Sequence, residues 1–252
     1  MLEFKNITVS KNGITLLEDI SLKIETGKLT VLIGPNACGK TTLLQTLNGS
    51  SKVTGGEIIL NGEDYLSLPP KERAKRLSFL PQVHSVIPSI PVKTLVSHGR
   101  FPYLGFSRRS GEEDKKIVND AMIKTGVDEY SSAGVDTLSG GVRQRAFIAM
   151  QLAQQSDTII ADEPATYLDQ PSRKKITEIY SGLRNEGKTV VLVLHELSTA
   201  LEIADRIIVM KDRKIAAEGT PKQIISSGII TDVFGVGIKR FSDDEGDYLI
   251  TV

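Results

Sequence analysis

An α/β fold built on a buried parallel sheet is predicted by three short apolar runs. Leu29-Thr30-Val31-Leu32-Ile33, Thr158-Ile159-Ile160-Ala161 and Val190-Val191-Leu192-Val193-Leu194 are nearly continuous, the pattern of strands covered on both faces. Each leads directly into a turn that carries chemistry: Gly34 to Thr42, Asp162-Glu163 and His195-Glu196. Ligands of open α/β sheets collect at the carboxyl ends of such strands, so the three turns are expected to converge on one crevice.

The remaining elements follow in order. Residues 2–9 and 20–24 alternate apolar and polar around Gly13, which predicts antiparallel strands with one wet face. A helical run, Thr42 to Asn48, follows the first glycine-rich turn, and a strand at 77–80 ends in Leu80-Pro81-Gln82. Between Gln82 and Leu138 the strand pattern stops. Helical segments at 93–99 and 112–125, separated by a loop around Pro102, Gly105 and Gly111, predict a helical insertion. Ser139-Gly140-Gly141 precedes a run of helix formers, the signature of a helix N-terminus. The chain then returns to sheet, with closing strands that include 206–210 and 247–251, and it carries neither an internal repeat nor a low-complexity tract.

Bulk properties narrow the function. The chain has 252 residues, enough for a full core, and its 31 basic residues balance 31 acidic ones. A neutral total gives no long-range field for nucleic acid or an anionic membrane, so an anionic ligand must be held by local chemistry and no nucleic-acid partner is expected. The single cysteine, Cys38, excludes an internal disulfide and suggests neither a zinc cluster nor a secretory setting. No run approaches the roughly 18 to 20 apolar residues of a membrane span. Leu2 stands where myristoylation needs glycine, and no terminal prenylation cysteine follows. A soluble cytosolic chain is expected, with any membrane role supplied by a partner.

Gly34-Pro35-Asn36-Ala37-Cys38-Gly39-Lys40-Thr41 matches G-x-x-x-x-G-K-[ST], with an apolar strand before it and a helix, beginning at Thr42, after it. Its backbone can wrap phosphates, Lys40 can neutralise the outer two, and the Thr41 hydroxyl can ligate Mg²⁺. The implied fold is a P-loop NTPase (RecA-like) core with an antiparallel β subdomain and an inserted helical subdomain. Asp162, at the end of a buried strand, can hold magnesium, and Glu163 can polarise the water that attacks a γ-phosphate. Ser139-Gly140-Gly141 alone is an ordinary N-cap; beside a phosphate loop it becomes a second candidate anion grip. His195 ends the third buried run and can hydrogen-bond the γ-phosphate, whereas His84 and His98 read as surface or packing residues. Cys38, in a positive turn, is a candidate reactive thiol unless burial cancels the effect.

The order of these motifs is phosphate loop, Leu-Pro-Gln, Leu-Ser-Gly-Gly, Asp-Glu-Pro, Leu168-Asp169 and a strand-end histidine. In this it resembles the ATP-binding subunit of ABC transporters over nearly the whole chain. The resemblance implies one ABC domain over 1–252, with 1–82 and 146–252 as nucleotide-binding core and 83–145 as helical subdomain. It implies a homodimer in which Ser139, Gly140 and Gly141 of one copy close over ATP held by the other. It further assigns Gln82 to metal or water and γ-phosphate sensing, Asp169 to communication across the dimer and His195 to the γ-phosphate switch. Implied partners are an integral membrane permease and, through it, an extracytoplasmic substrate-binding protein, with the chain on the cytoplasmic face of the membrane.

Thr94-Leu95-Val96-Ser97-His98-Gly99-Arg100-Phe101-Pro102-Tyr103-Leu104-Gly105, followed by Glu113-Asp114, is similar to the subfamily that imports iron–siderophores, haem or vitamin B12. Phe101, Tyr103 and Phe106, flanked by Arg100, Arg108 and Arg109, suit either a permease-docking face or, for the aromatics, buried packing and, for the arginines, a solvated face. There are three departures from the family pattern: Lys11 and Asn12 where an aromatic often stacks on adenine, Ala37 for a glycine in the phosphate loop, and Val142 for the glutamine after the two glycines of Ser139-Gly140-Gly141. Ala37 is harmless if its φ is negative and destabilising if the turn requires φ > 0. The alternative reading is a soluble ABC ATPase in cofactor assembly, repair or translation.

Overall fold

The computed structural model describes residues 1–251 except 83–86, 88, 106–109, 167 and 244–245, with side chains described up to Lys239. His84, Phe106, Arg108 and Arg109 therefore lie outside the described residues. Two compact units divide the chain: Met1–Ser67 with Gly187–Val252, and Leu68–Glu186.

The first unit opens with strands β1 (Leu2–Lys11), β2 (Ile14–Ile24) and β3 (Leu29–Ile33), helix α1 (Lys40–Asn48), and strands β4 (Val53–Leu60) and β5 (Glu63–Asp64). The second unit contains α2 (Pro70–Arg76), β6 (Leu77–Leu80), α3 (Val92–Ser97), α4 (Glu112–Thr125), α5 (Gly140–Ala153), β7 (Thr158–Asp162) and α6 (Gln170–Asn185). The chain then completes the first unit with β8 (Thr189–Val193), α7 (Leu197–Ile203), β9 (Arg206–Lys211), β10 (Lys214–Gly219), α8 (Pro221–Ser226), α9 (Ile229–Phe234), β11 (Ile238–Asp243) and β12 (Gly246–Thr251).

In the first unit, β1 pairs antiparallel with β2 on one side and β4 on the other. Leu2, Phe4, Ile7 and Val9 of β1 and Leu17, Ile20, Leu22 and Ile24 of β2 are buried, so the alternation read from the sequence packs one face and wets the other. β3 lies between β8 and β9 in parallel register, and β10 closes that edge antiparallel to β9. Every residue of β3 and of β8 is buried, as their apolar runs predict. Each fully buried Val, Leu or Ile contributes about 1.5 to 3 kcal/mol relative to exposure.

The closing strands expected at 206–210 and 247–251 are both present, in β9 and β12; β12 pairs with β11 in a two-stranded sheet of its own, in register from Ile238↔Thr251 to Asp243↔Gly246. The two strands are close in sequence, so this local pairing closes a much shorter loop than a return to β3 or β9. β12 packs against α7.

In the second unit, β6 and β7 pair in parallel, with Leu80 opposite Ala161. The helical segment expected at 93–99 is α3 followed by a single 3₁₀ turn at His98–Arg100, and α4 spans the expected 112–125. Helix α5 packs on both α3 and α4. Gln151, buried on α5, donates to the Ile160 carbonyl of β7 at 2.8 Å and accepts from the Tyr180 hydroxyl of α6 at 3.0 Å. Burial pushes the Tyr180 phenol far above its ordinary range, so it serves as a neutral donor.

Candidate functional site

In the first unit the phosphate-loop motif forms a tight turn between β3 and α1. A Cβ at Gly34 would run into the Met210 carbonyl oxygen of β9. Gly39 sits at φ 105°, where a Cβ would lie 2.5 Å from Leu17 Cδ2, so both motif glycines are required by the protein's own packing. Ala37 has φ 61°, which settles the question its identity raised: the turn holds an alanine in the left-handed region. Cys38 is buried, which removes the accessibility that a reactive thiol needs.

Lys40, only 5% exposed, donates through Nζ to the carbonyl oxygens of Gly34 at 2.7 Å and Pro35 at 3.0 Å. Its ammonium thus sits inside the curve of the loop. Helix α1 starts at Lys40 with no side-chain cap and no acidic residue in its first turn. The first N–H groups of a helix lack intrahelical acceptors, and here they coincide with the positive dipole end, a lysine and the half-buried hydroxyls of Thr41 and Thr42. That combination suits a polyphosphate. Asn36 is exposed at the loop tip. His195 is exposed two residues beyond β8; since Leu32 pairs with Val193, it leaves the parallel strands at the same end as Gly34.

In the second unit the same register logic builds an acidic centre. Gln82 and Glu163 each lie two residues past the paired Leu80 and Ala161, which places them side by side. Gln82 Nε2 donates to Glu163 Oε2 at 2.5 Å. Asp162 and Glu163 are 1% and 7% exposed, and Glu163 has φ 50°, a sparsely populated conformation of the kind found at functional sites. Thr166, which the motif reading passed over, donates through Oγ1 to the same Glu163 Oε2 at 3.1 Å. Its signal in the sequence is a hydroxyl three residues after the acid in Glu163-Pro164-Ala165-Thr166.

Ser139 caps α5 as expected, its Oγ accepting from the Val142 N–H at 3.5 Å, and Ser139 and Gly140 are exposed. A Cβ at Gly141 would strike Ser172 in the first turn of α6. Asp169 caps α6, accepting from the Ser172 N–H at 3.2 Å. Hydrogen bonds from Ser172, first through its side chain and then through its backbone, hold the Asp169 carboxyl below the usual range. Ser172, also unforeseen, therefore links the signature turn to Asp169.

The family model for ABC transporters matches residues 17–166, which include the phosphate loop, Gln82, Ser139–Gly141 and the Asp162-Glu163 pair. The chain belongs to the ABC transporter family. The petrobactin import ATP-binding protein FpuD of Bacillus anthracis is 38% identical over 243 residues, 96% of this chain and 89% of that protein. The ferric enterobactin transport ATP-binding protein FepC of Escherichia coli (strain K12) is 38% identical over 240 residues, 95% and 89% of the two chains. The dimeric ATP-binding cassette MJ0796, solved after hydrolysis with ADP and Pi, is 30% identical with a TM-score of 0.78, covering 88% of this chain and 99% of that one. A metal-chelate type ABC transporter in an inward-facing conformation shares the fold, with a TM-score of 0.84 over 100% of this chain and 97% of that one at 20% identity. This ABC protein is accordingly a P-loop ATPase of α/β fold. Among its described residues, no helix is long and apolar enough to cross a membrane.

The insertion of this ABC chain corrects two expectations. Arg100 is neither a docking contact nor solvated: it is 5% exposed, with Nε on Asp114 Oδ1 and Nη1 on the Ala153 carbonyl and Gln155 Oε1, all at 2.9 Å. Its guanidinium lies 4.0 Å from the centre of the Tyr103 ring, whose hydroxyl donates to the Gln154 carbonyl at 2.9 Å. Four partners spread from Tyr103 to Gln155 justify burying the charge. Phe101, by contrast, is 57% exposed and stacks on His98 at 4.7 Å, so it is not buried packing.

Proposed function

We propose that this ABC ATPase is the ATP-binding and hydrolysing subunit of an importer for an iron–siderophore, haem or cobalamin-type substrate. The observation that carries the hydrolytic reading is the Glu163 carboxylate, fixed at a buried strand end by Gln82 and Thr166. The importer reading is supported by the curated relatives, whose names specify petrobactin, ferric enterobactin and, for the Rhodococcus jostii protein HmuV, hemin import.

In this reading 1–82 and 146–252 form the nucleotide-binding core and 83–145 the helical subdomain. ATP phosphates lie on the backbone from Gly34 to Thr42, through Pro35, Asn36, Ala37, Cys38 and Gly39. Lys40 exchanges its bonds to the Gly34 and Pro35 carbonyls for the outer phosphates. The Thr41 hydroxyl, the Asp162 carboxylate and the Gln82 amide oxygen are hard oxygen donors of the kind Mg²⁺ takes. When bound, that ion supplies positive charge beside the phosphates. Glu163 accepts a proton as water attacks the γ-phosphorus and the bond to ADP breaks; Gln82 orients the water and His195 donates to the γ-phosphate.

Two copies form a homodimer in which Ser139, Gly140 and Gly141 of one copy cover ATP held by the other, and Asp169 relays between the two sites. The dimer drives an integral membrane permease from the cytoplasmic face, and an extracytoplasmic binding protein delivers the cargo to that permease. Loss of a general base slows a step roughly 10²- to 10⁴-fold. Glu163→Gln is expected to bind ATP, remain dimeric and slow turnover by that factor; unchanged turnover overturns the assignment. Co-purification with a polytopic permease and ATP-dependent uptake of an iron chelate, haem or corrinoid in vesicles tests the importer reading. A catalytically active chain that brings no permease from membranes favours the soluble alternative.

A further inference from the structure

The geometry points to Thr166 as a positioning residue for Glu163, holding the base in line when Gln82 turns away. The inference rests on Glu163 as the general base. A glutamate side chain retains several rotamers, and ordering them carries an entropic cost. A general base must stay within hydrogen-bond reach of its water through the transition state. Among the described residues, Gln82 Nε2 at 2.5 Å and Thr166 Oγ1 at 3.1 Å both donate to the Oε2 of this carboxylate.

The two donors differ in what carries them. Gln82 lies 81 residues away, past the end of β6, and its single side-chain amide is also the group proposed to meet water and metal. While it donates to Oε2 through Nε2, its orientation is set by Glu163 instead of by the nucleotide. Thr166 is in the turn that Glu163 itself begins, where the Thr166 N–H donates to the Glu163 carbonyl at 3.3 Å. Its hydroxyl therefore moves with the backbone of the base. If Gln82 re-orients on nucleotide binding, Thr166 is a donor that remains in place. It holds the Oε2 oxygen of the carboxylate, and it does so without touching substrate.

Steady-state ATPase kinetics of the full chain with Thr166→Val, Thr166→Ser, Glu163→Gln and the Thr166→Val/Glu163→Gln double variant test this. Valine keeps the branched shape and removes only the hydroxyl. A hydrogen bond to a charged group is worth roughly a factor of ten or more. Thr166→Val is expected to lower kcat about tenfold with KM for ATP little changed, and Thr166→Ser to restore it. In the Glu163→Gln background Thr166→Val is expected to have no further effect, because the charge it aligns is gone. Equal kcat for Thr166→Val and the parent, with Glu163→Gln inactive, overturns the role of Thr166 alone. A fall of the same size in both backgrounds also overturns it, by showing a structural effect independent of the base. An active Glu163→Gln overturns the general-base reading itself. Thermal melts of all four variants separate misfolding from misalignment, since a Thr166→Val chain that melts with the parent yet loses kcat is aligned poorly, not unfolded.

Discussion

The phosphate loop at Gly34–Thr42 is closed on itself, whereas the turn at Ser139–Gly141 is open. Both are glycine-bearing starts of helices with a positive dipole end. In the loop, a buried lysine fills the concave side, and Gly34 and Gly39 press against β9 and β2. In the turn, a serine satisfies one N–H, Ser139 and Gly140 face outward, and no lysine or arginine immediately precedes or occupies the first two helical positions. A polyphosphate brings several negative charges; the loop meets them with a lysine held inside its curve, whereas the first cation of the turn's helix, Arg143, stands at the fourth helical position. That difference fits a division of labour in which the loop binds nucleotide within one chain and the turn adds contacts to a nucleotide already held elsewhere.

The two regions also depend on different supports, and the largest predicted effect tests this. Helix α5 has the turn at its N-terminus, and the Arg100–Asp114 pair grips its far end at Ala153. The side chains of that pair are only 7% and 18% exposed. Removing one partner of a buried pair costs roughly 3 to 5 kcal/mol. Asp114→Ala is expected near the lower figure because Gln155 and the Ala153 carbonyl still hold Arg100. Amide hydrogen exchange should show protection lost in α5 and retained in α1; equal loss in both helices breaks the comparison.

The same pair sets a pH dependence. The Arg100 guanidinium, and then the Gly111 N–H, hold the Asp114 carboxyl below its usual range. A depressed folded pKa gives stability that is complete above the unfolded carboxylate value of about 4 and is lost as pH falls towards the folded value. Acidification below about pH 4 should therefore reduce α5 protection in the parent chain, and Asp114→Ala should lack that contribution to the acid limb.

Lys40→Met addresses the loop from the other side. The methionine keeps an unbranched apolar stem and loses the charge. Hydrogen bonds from a charged group are worth about 1.5 to 3 kcal/mol, or roughly ten- to hundredfold in Kd. ATP affinity is expected to fall by that factor while α5 exchange stays unchanged. An affinity within twofold of the parent removes the main distinction drawn between the loop and the turn.

What was legible in the sequence follows the range of the forces involved. The bounds of β3 match its apolar run, and Ser139 announces α5, because burial on both faces and N-capping are written within a few residues. Gln82 carried no such signal and was reached only through family resemblance. Its place beside Glu163 comes from the pairing of Leu80 with Ala161, a register that no local pattern states. Arg100 was misread for the same reason: its partners Asp114, Ala153 and Gln155 lie 14 to 55 residues away, so a charged side chain that looks like surface is buried. The 247–251 segment is legible as a strand, whereas its partner β11 is not, for the same reason of unstated pairing.

Ala37 gives the smallest predicted effect and sharpens the comparison most narrowly. Its left-handed φ of 61° is imposed by the loop, since an alanine chosen freely prefers negative φ. The conformation costs an L-residue about 1 kcal/mol, while glycine there loses more entropy on folding, so the two terms partly cancel. Ala37→Gly is expected to stabilise the chain by at most about 0.5 kcal/mol, a rise of up to roughly 2 °C in Tm for a chain of this size. Ala37 is exposed, so the gain cannot come from relieved packing. ATP affinity is the second readout. If the strain holds the loop ready for phosphate, glycine raises Tm and weakens ATP binding together; if strain is only tolerated, Tm rises alone. A Tm that falls shows that the loop is not strained at Ala37, and the closed character of the loop then rests on Lys40 and the two glycines.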